Sequence, residues 1–175
     1  SLYVGGNFNI AGDRGSTFIA RWSSSAVADF VVGEGLGLPN PCQVRLYTSA
    51  GTSAAVSFLA YGSAQWGTNV ASGNIDGGAH NEIVTGPGPG PTFGPQARAF
   101  DRGGFPLSRV SYYAYGTLRY GLNVGAADLD ADGNAEILTG AGPGLVFGPH
   151  VRAWNYDGVS IDPIVLLRGH KGSAP

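Results

Sequence analysis

Hydrophobic and polar residues alternate with a period of two over short stretches of this chain, and no window carries the 3.6-residue period of a helix. His150 to Asn155 sets Val151 and Ala153 against Arg152, and Tyr156-Asp157-Gly158 then supplies a turn. Glu136 to Thr139 has the same alternating character, Asn123 to Ala126 precedes it, and Ile161 to Leu167 reads as a further strand equivalent to Leu107 to Tyr115. Between them Gly140 to Pro149 is too rich in glycine and proline for a helix and is expected to be a long loop, as is Gly86 to Pro95. The pattern predicts an all-β chain built from groups of four short strands.

Those groups repeat. Asn69 to Asp101 aligns with Asn123 to Asn155 without a gap, at a constant offset of 54, with 15 identities in 33 positions. Ser57-Phe58-Leu59-Ala60-Tyr61-Gly62 returns as Ser111-Tyr112-Tyr113-Ala114-Tyr115-Gly116. A more diverged copy lies upstream, where Asp29 to Gly35 matches Glu82 to Gly88 and Gln43 to Tyr47 matches Gln96 to Phe100. The expectation is one domain over residues 1–175, made of three units of roughly 54 residues at about 1–56, 57–110 and 111–175. Four antiparallel strands per unit describe the blade of a propeller, so the units are expected to be tandem, propeller-like β-blades.

The segment Asp128 to Glu136 holds four of the twelve acidic residues, at alternating positions around Gly133. Carboxylates two residues apart in a tight loop converge, and a hard cation seeking six to eight oxygens is the usual reason to gather them. Side chains of Asp128, Asp130, Asp132 and Glu136 and the backbone carbonyl of Asn134 are the expected Ca2+ ligands, with Gly133 allowing the sharp turn. The plainer alternative is a solvated acidic turn. In the sister loop Asn74 to Glu82, Asp76 and Glu82 persist, Asn74 replaces the first carboxylate and Gly78 the third. A weaker site through Asn74, Asp76, Glu82 and the His80 carbonyl competes there with a simple β-turn.

Asp-x-Asp-x-Asp-Gly-x-x-Glu at Asp128 to Glu136, followed by Ile137-Leu138-Thr139-Gly140, Gly142-Pro143-Gly144 and Phe147-Gly148-Pro149, resembles the FG-GAP or VCBS repeats of integrin alpha-subunit propellers and bacterial secreted proteins. The likeness covers Ser57 to Gly158 well and Asp29 to Val56 loosely. It implies calcium held in a hairpin loop to stiffen a propeller, with adhesion or binding on its faces. Leu2-Tyr3-Val4-Gly5-Gly6-Asn7-Phe8 with Ile19-Ala20-Arg21-Trp22 is weakly similar to another propeller-type repeat. Such propellers close with about seven blades, and three cannot close a ring of normal geometry.

Composition narrows the function. Charged residues are 13% of the chain against 30 glycines, and the formal net charge of −2 gives no electrostatic case for nucleic acid. No apolar run approaches the roughly 20 residues of a membrane span. Cys42 is the single cysteine, so no internal disulfide is expected. His80, His150 and His170 lie in no triad or zinc pattern, which argues against catalysis. Arg45, Arg98 and Arg152 recur at one place per unit and are expected to bond loop carbonyls or strand-leading acids, with a ligand-binding ring as the alternative. Phe58/Tyr112, Tyr61/Tyr115 and Trp66/Tyr120 are expected to pack in the core rather than stack on sugars.

The resulting expectation is a secreted or cell-surface, non-enzymatic structural protein, read as a mature chain without its signal peptide. Copies would associate through open blade edges into a filament or closed ring, with Ser1 to Gly6 and Leu166 to Pro175 as donors for strand exchange. The alternatives are an adhesion or carbohydrate-binding module meeting a glycan or cell-surface protein, and a fragment of a longer propeller.

Overall fold

The computed structural model describes residues 19–21, 30–48, 50–62, 65–117, 119–143 and 150–164. The expectations placed on 1–6, 144–149 and 165–175 lie outside them. The described residues form strands and loops only, and no helix among them is long and apolar enough to cross a membrane.

Twelve strands make three antiparallel sheets, each running in chain order. The first sheet holds β1 (Ile19–Arg21), β2 (Phe30–Gly33), β3 (Gln43–Tyr47) and β4 (Ser53–Leu59). The second holds β5 (Thr68–Gly73), β6 (Glu82–Pro87), β7 (Gln96–Phe100) and β8 (Pro106–Thr117). The third holds β9 (Leu122–Ala127), β10 (Glu136–Ala141), β11 (Val151–Tyr156) and β12 (Ile161–Ile164). The divisions after 56 and 110 therefore fall inside β4 and β8. Sequence identity measures the offset between copies, whereas the start of each copy is set by hydrogen bonding: Phe58 pairs back onto Val44 and Tyr112 onto Ala97.

The 54-residue offset is visible in the backbone itself. Positive φ occurs in pairs at that spacing: Gly62 and Gly116, Gly67 and Gly121, Gly104 and Gly158, and also Trp66 (82°) with Tyr120 (86°) and Gly77 (72°) with Ala131 (63°). Left-handed backbone is costly for a residue with a Cβ. Its recurrence at Trp66 and Tyr120, each two residues before the first strand of its sheet, marks a turn at the same place in both copies.

Neighbouring sheets meet through their first strands. β5 lies against β1 and β2 on one side and against β9 on the other. The approach is close because Gly33 and Gly86 have no side chain: a Cβ would collide with the Thr68 carbonyl at Gly33 and with the Leu122 carbonyl at Gly86. Asn69 Nδ2 donates to that same Leu122 carbonyl at 2.8 Å. Farther from the first strands, aromatic pairs fill the space, Phe58 with Phe100 at 4.5 Å and Tyr112 with Trp154 at 4.7 Å between ring centres.

Each junction is fastened by a buried tyrosine and an arginine. The Tyr61 hydroxyl is 2.9 Å from the Thr85 carbonyl and 2.8 Å from that of Gln96, so it donates into the next sheet. Tyr115 repeats this with Thr139 at 2.7 Å and His150 at 2.8 Å. In return Arg98 donates to the Ala60 carbonyl and Arg152 to that of Ala114, at 2.6 Å for the latter. The guanidinium of Arg152 also lies 4.8 Å from the Tyr115 ring centre. The recurrent arginines thus hold carbonyls of the preceding sheet, whereas Arg45 of the first sheet pairs with Glu34 at 2.6 Å.

The apolar core follows these junctions. Val31, Val44 and Leu46 pack with Val70, Ile83 and Phe100 between the first and second sheets, and Ala71, Val84 and Ala99 with Ile137 and Tyr156 between the second and third. Cys42 is buried in the first junction, its thiol donating to the Gly67 carbonyl at 2.9 Å, and burial pushes its pKa up to about 12.

Replacing Tyr115 by Phe removes its hydrogen bonds to the Thr139 and His150 carbonyls and should lower unfolding stability by about 1–3 kcal/mol in urea melts. Tyr113→Phe, at a half-exposed ring in the same strand, should change it little.

Candidate metal centre

The hairpin loops between the first two strands of the second and third sheets carry the acidic residues. Each is closed by the glutamate that opens the following strand. Glu136 Oε2 accepts from Leu129 N at 2.6 Å, and Glu82 Oε2 accepts from Ile75 N at 2.9 Å. Both clamps reach back seven residues, so the glutamate organises its loop from within.

In the Asp128 to Glu136 loop, one carboxylate oxygen each from Asp128, Asp130 and Glu136 lies within 4.8 Å of the others. Three anionic oxygens at that spacing surround a point where a hard cation fits. Glu136 is fully buried, and its second oxygen, Oε1, has no hydrogen-bond partner. A carboxylate oxygen in that position is costly unless a cation or donor meets it. The loop backbone supports the arrangement: Asp128 Oδ1 accepts from Ala131 N at 2.7 Å and Oδ2 from Gly133 N at 3.1 Å. Gly133 has φ 94°, as a sharp turn requires.

Asp132 is not among those three. Asp132 Oδ1 accepts from Asn134 N at 2.8 Å, and its other oxygen lies 3.4 Å from Asn134 Nδ2, so the side chain caps its own turn. An all-oxygen ligand set therefore rests first on Asp128, Asp130 and Glu136, with Asp132 exposed beside them.

The Asn74 to Glu82 loop follows the same plan with less charge. Asp76 Oδ1 accepts from Gly78 N at 2.8 Å, Asn74 Nδ2 donates to the Gly78 carbonyl at 3.1 Å, and His80 is exposed. Asn74 Oδ1, at the place of Asp128, is buried without a partner. Asp76, His80 and Glu82 line a depression of about 250 Å³ together with Asp101, Arg102 and Gly103. Sequence reasoning missed Asp101, since it lies in the turn between β7 and β8, and only the fold brings that turn over the loop.

The two loops touch. Ala135 N donates to the Asn74 carbonyl at 2.7 Å, and a Cβ on Gly77 would sit 3.0 Å from Asn134 Oδ1. A separate hollow of about 270 Å³ lies between the second and third sheets, near the Pro89 and Pro143 loops, with Tyr120, Leu122, Asn69 and Asn123 in its wall.

Comparison of the chain with protein-family models, with curated proteins and with solved structures finds no match. The functional reading therefore rests on this geometry.

Burial raises the Glu82 pKa to about 7, and the nearby Asp76 charge adds to the rise, against the Ile75 N–H bond that lowers it. An acid with a folded pKa above its unfolded value of 4.5 favours folding while protonated. In chelator-treated protein its contribution is full below about pH 4.5 and is lost as pH rises towards 7. Glu82→Gln should flatten that part of the stability-versus-pH curve, measured by thermal melting with chelator present.

Proposed function

We propose that this chain is a secreted, non-enzymatic structural protein whose sheets stack as propeller-type blades stiffened by Ca2+ at Asp128, Asp130 and Glu136, and whose copies associate through their open sheets. The observation that carries the reading is the buried Glu136 carboxylate with an unpartnered oxygen beside two aspartates. Hard carboxylate oxygens in a flexible loop suit calcium better than a transition metal, and an extracellular setting supplies it at the concentrations such modules use. The Asn74 to Glu82 loop is a second, weaker site, because fewer charges face its centre. The ion ties β9 to β10 at one end of the sheet, and through Ala135 it steadies the loop of the sheet before.

Calcium titration by calorimetry should show one tight site that Asp130→Asn removes and a weaker one that Glu82→Gln removes. At a hundredfold excess over its dissociation constant, calcium should stabilise the fold by about 2.7 kcal/mol. An Asp130→Asn protein with native calcium affinity would sink the assignment.

A second reading has its own observation. Tyr120 is half-exposed in the wall of the hollow it shares with Asn69 and Asn123, and an aromatic face beside amide groups suits a sugar. Glycan-array binding that Tyr120→Ala abolishes would favour this adhesion role over the structural one.

A further inference from the structure

The two acidic loops share a limb. In the third sheet the chain returns into β10 through Asn134, Ala135 and Glu136, and the three residues face different things. Glu136 is fully buried, with Oε1 unpartnered beside the Asp128 and Asp130 carboxylates. Ala135 and Asn134 meet the loop of the second sheet instead. Ala135 N donates to the Asn74 carbonyl at 2.7 Å, and its side chain lies so near Gly73 that a Cβ there would come within 2.9 Å of it. Asn134 Oδ1 lies over Gly77, 3.0 Å from where a Cβ would stand.

Those contacts fall on the residues that shape the second loop. Asn74 opens it at the place of Asp128, with Nδ2 donating to the Gly78 carbonyl at 3.1 Å and Oδ1 buried without a partner. Gly73 pairs across the strands with Glu82, which closes the loop by accepting from Ile75 N at 2.9 Å. Gly77 lies inside the loop with φ 72°. The limb that ends in Glu136 therefore reaches the start of the second loop, its interior and, through Gly73, the strand partner of its closing glutamate.

We infer that Ca2+ bound at Asp128, Asp130 and Glu136 raises the affinity of the Asn74 to Glu82 loop for a second Ca2+, the two sites being coupled through Asn134 and Ala135. This rests on the calcium sites of the proposed function. A cation that takes up Glu136 Oε1 fixes the limb, because Oε2 is already held by Leu129 N at 2.6 Å. With the limb fixed, the Asn74 carbonyl has a fixed donor and Gly77 a fixed wall, so the second loop has less freedom left to lose when its own oxygens gather on an ion. Repulsion between the two cations opposes this gain, but between exposed loops it is weakened by solvent and by salt, with a screening length of about 8 Å. Coupling between sites typically shifts affinity by about 5- to 150-fold.

Calorimetric titration with Ca2+ at about 0.15 M salt tests the coupling. In Asp130→Asn, whose tight site is lost, the weaker site should bind about fivefold or more less tightly than in the native chain. Charge alone predicts the opposite, since the empty Asp130→Asn loop is more negative than the native loop holding Ca2+. Ala135→Pro keeps every carboxylate but removes the N–H on Asn74, so its tight site should persist while its weaker site falls to the Asp130→Asn value. Should Ala135→Pro melt early, amide hydrogen exchange in Glu82→Gln gives the same answer: Ca2+ at the tight site alone should slow exchange at Gly77 and Gly78. A weaker site of native affinity in Asp130→Asn, or exchange at Gly77 and Gly78 indifferent to Ca2+, would overturn the coupling while leaving the calcium sites standing. A native chain that binds no Ca2+ would overturn both.

Discussion

The junction between consecutive sheets is the constraint from which the rest of the molecule follows. A four-stranded sheet with an apolar face on each side cannot remain in water alone, so it must be covered by its neighbours. Here the first strands approach until backbone meets backbone. The Thr68 and Leu122 carbonyls enter the hollows at Gly33 and Gly86, which any side chain would block. Such a contact makes an unpaired polar group at the seam costly. Tyr61 and Tyr115 supply donors to the carbonyls of the next sheet, while Arg98 and Arg152 serve carbonyls of the one before. The bonds run in both directions across each seam, so neither sheet can slide without breaking a buried charge-assisted contact.

The acidic loops inherit their position from that stacking. Because β5 and β9 lie side by side, the loops that follow them emerge at the same end and in contact, with Ala135 N bonded to the Asn74 carbonyl. Gly73 permits this, since a Cβ there would crowd Ala126 and Ala135 at 2.8 and 2.9 Å. The acidic cluster is therefore an extension of the seam.

Much of this was legible in the chain because it is written in spacing. The alternation of apolar residues marked the strands and the constant offset of 54 marked the copies; Tyr61 and Tyr115 lie in the core and Arg98 and Arg152 on carbonyls as expected, whereas Arg45 pairs with Glu34 and Tyr120, expected in the core, is exposed. The phase of the units was not legible, because Ser57-Phe58 and Ser111-Tyr112 read equally well as the start of one unit or the end of another. Pairing onto β3 and β7 decides it. Positive φ at Trp66 and Tyr120 was hidden for a different reason: nothing in an aromatic residue signals left-handed backbone, which here arises from the entry into a closely packed strand. The turn-capping role of Asp132 and the presence of Asp101 beside Asp76 were likewise beyond spacing, since each depends on which way a loop folds.

The glutamate common to both loops explains why one plan tolerates different amounts of charge. Its Oε2 oxygen closes the hairpin by taking a backbone N–H seven residues back, a bond that needs no ion. The remaining oxygen of Glu136 is buried with no hydrogen-bond partner. Beside Asp128 and Asp130, Glu136 joins a cluster of carboxyl oxygens that would suit a divalent cation. Desolvated and beside Asp76, Glu82 holds a proton up to about pH 7 instead. A proton and a cation are alternative answers to the same buried oxygen, and the number of neighbouring carboxylates decides between them. Where Asn74 stands in place of Asp128 the loop carries one carboxylate fewer and the hairpin persists, so the copies differ in charge while the sheets they cap stay alike.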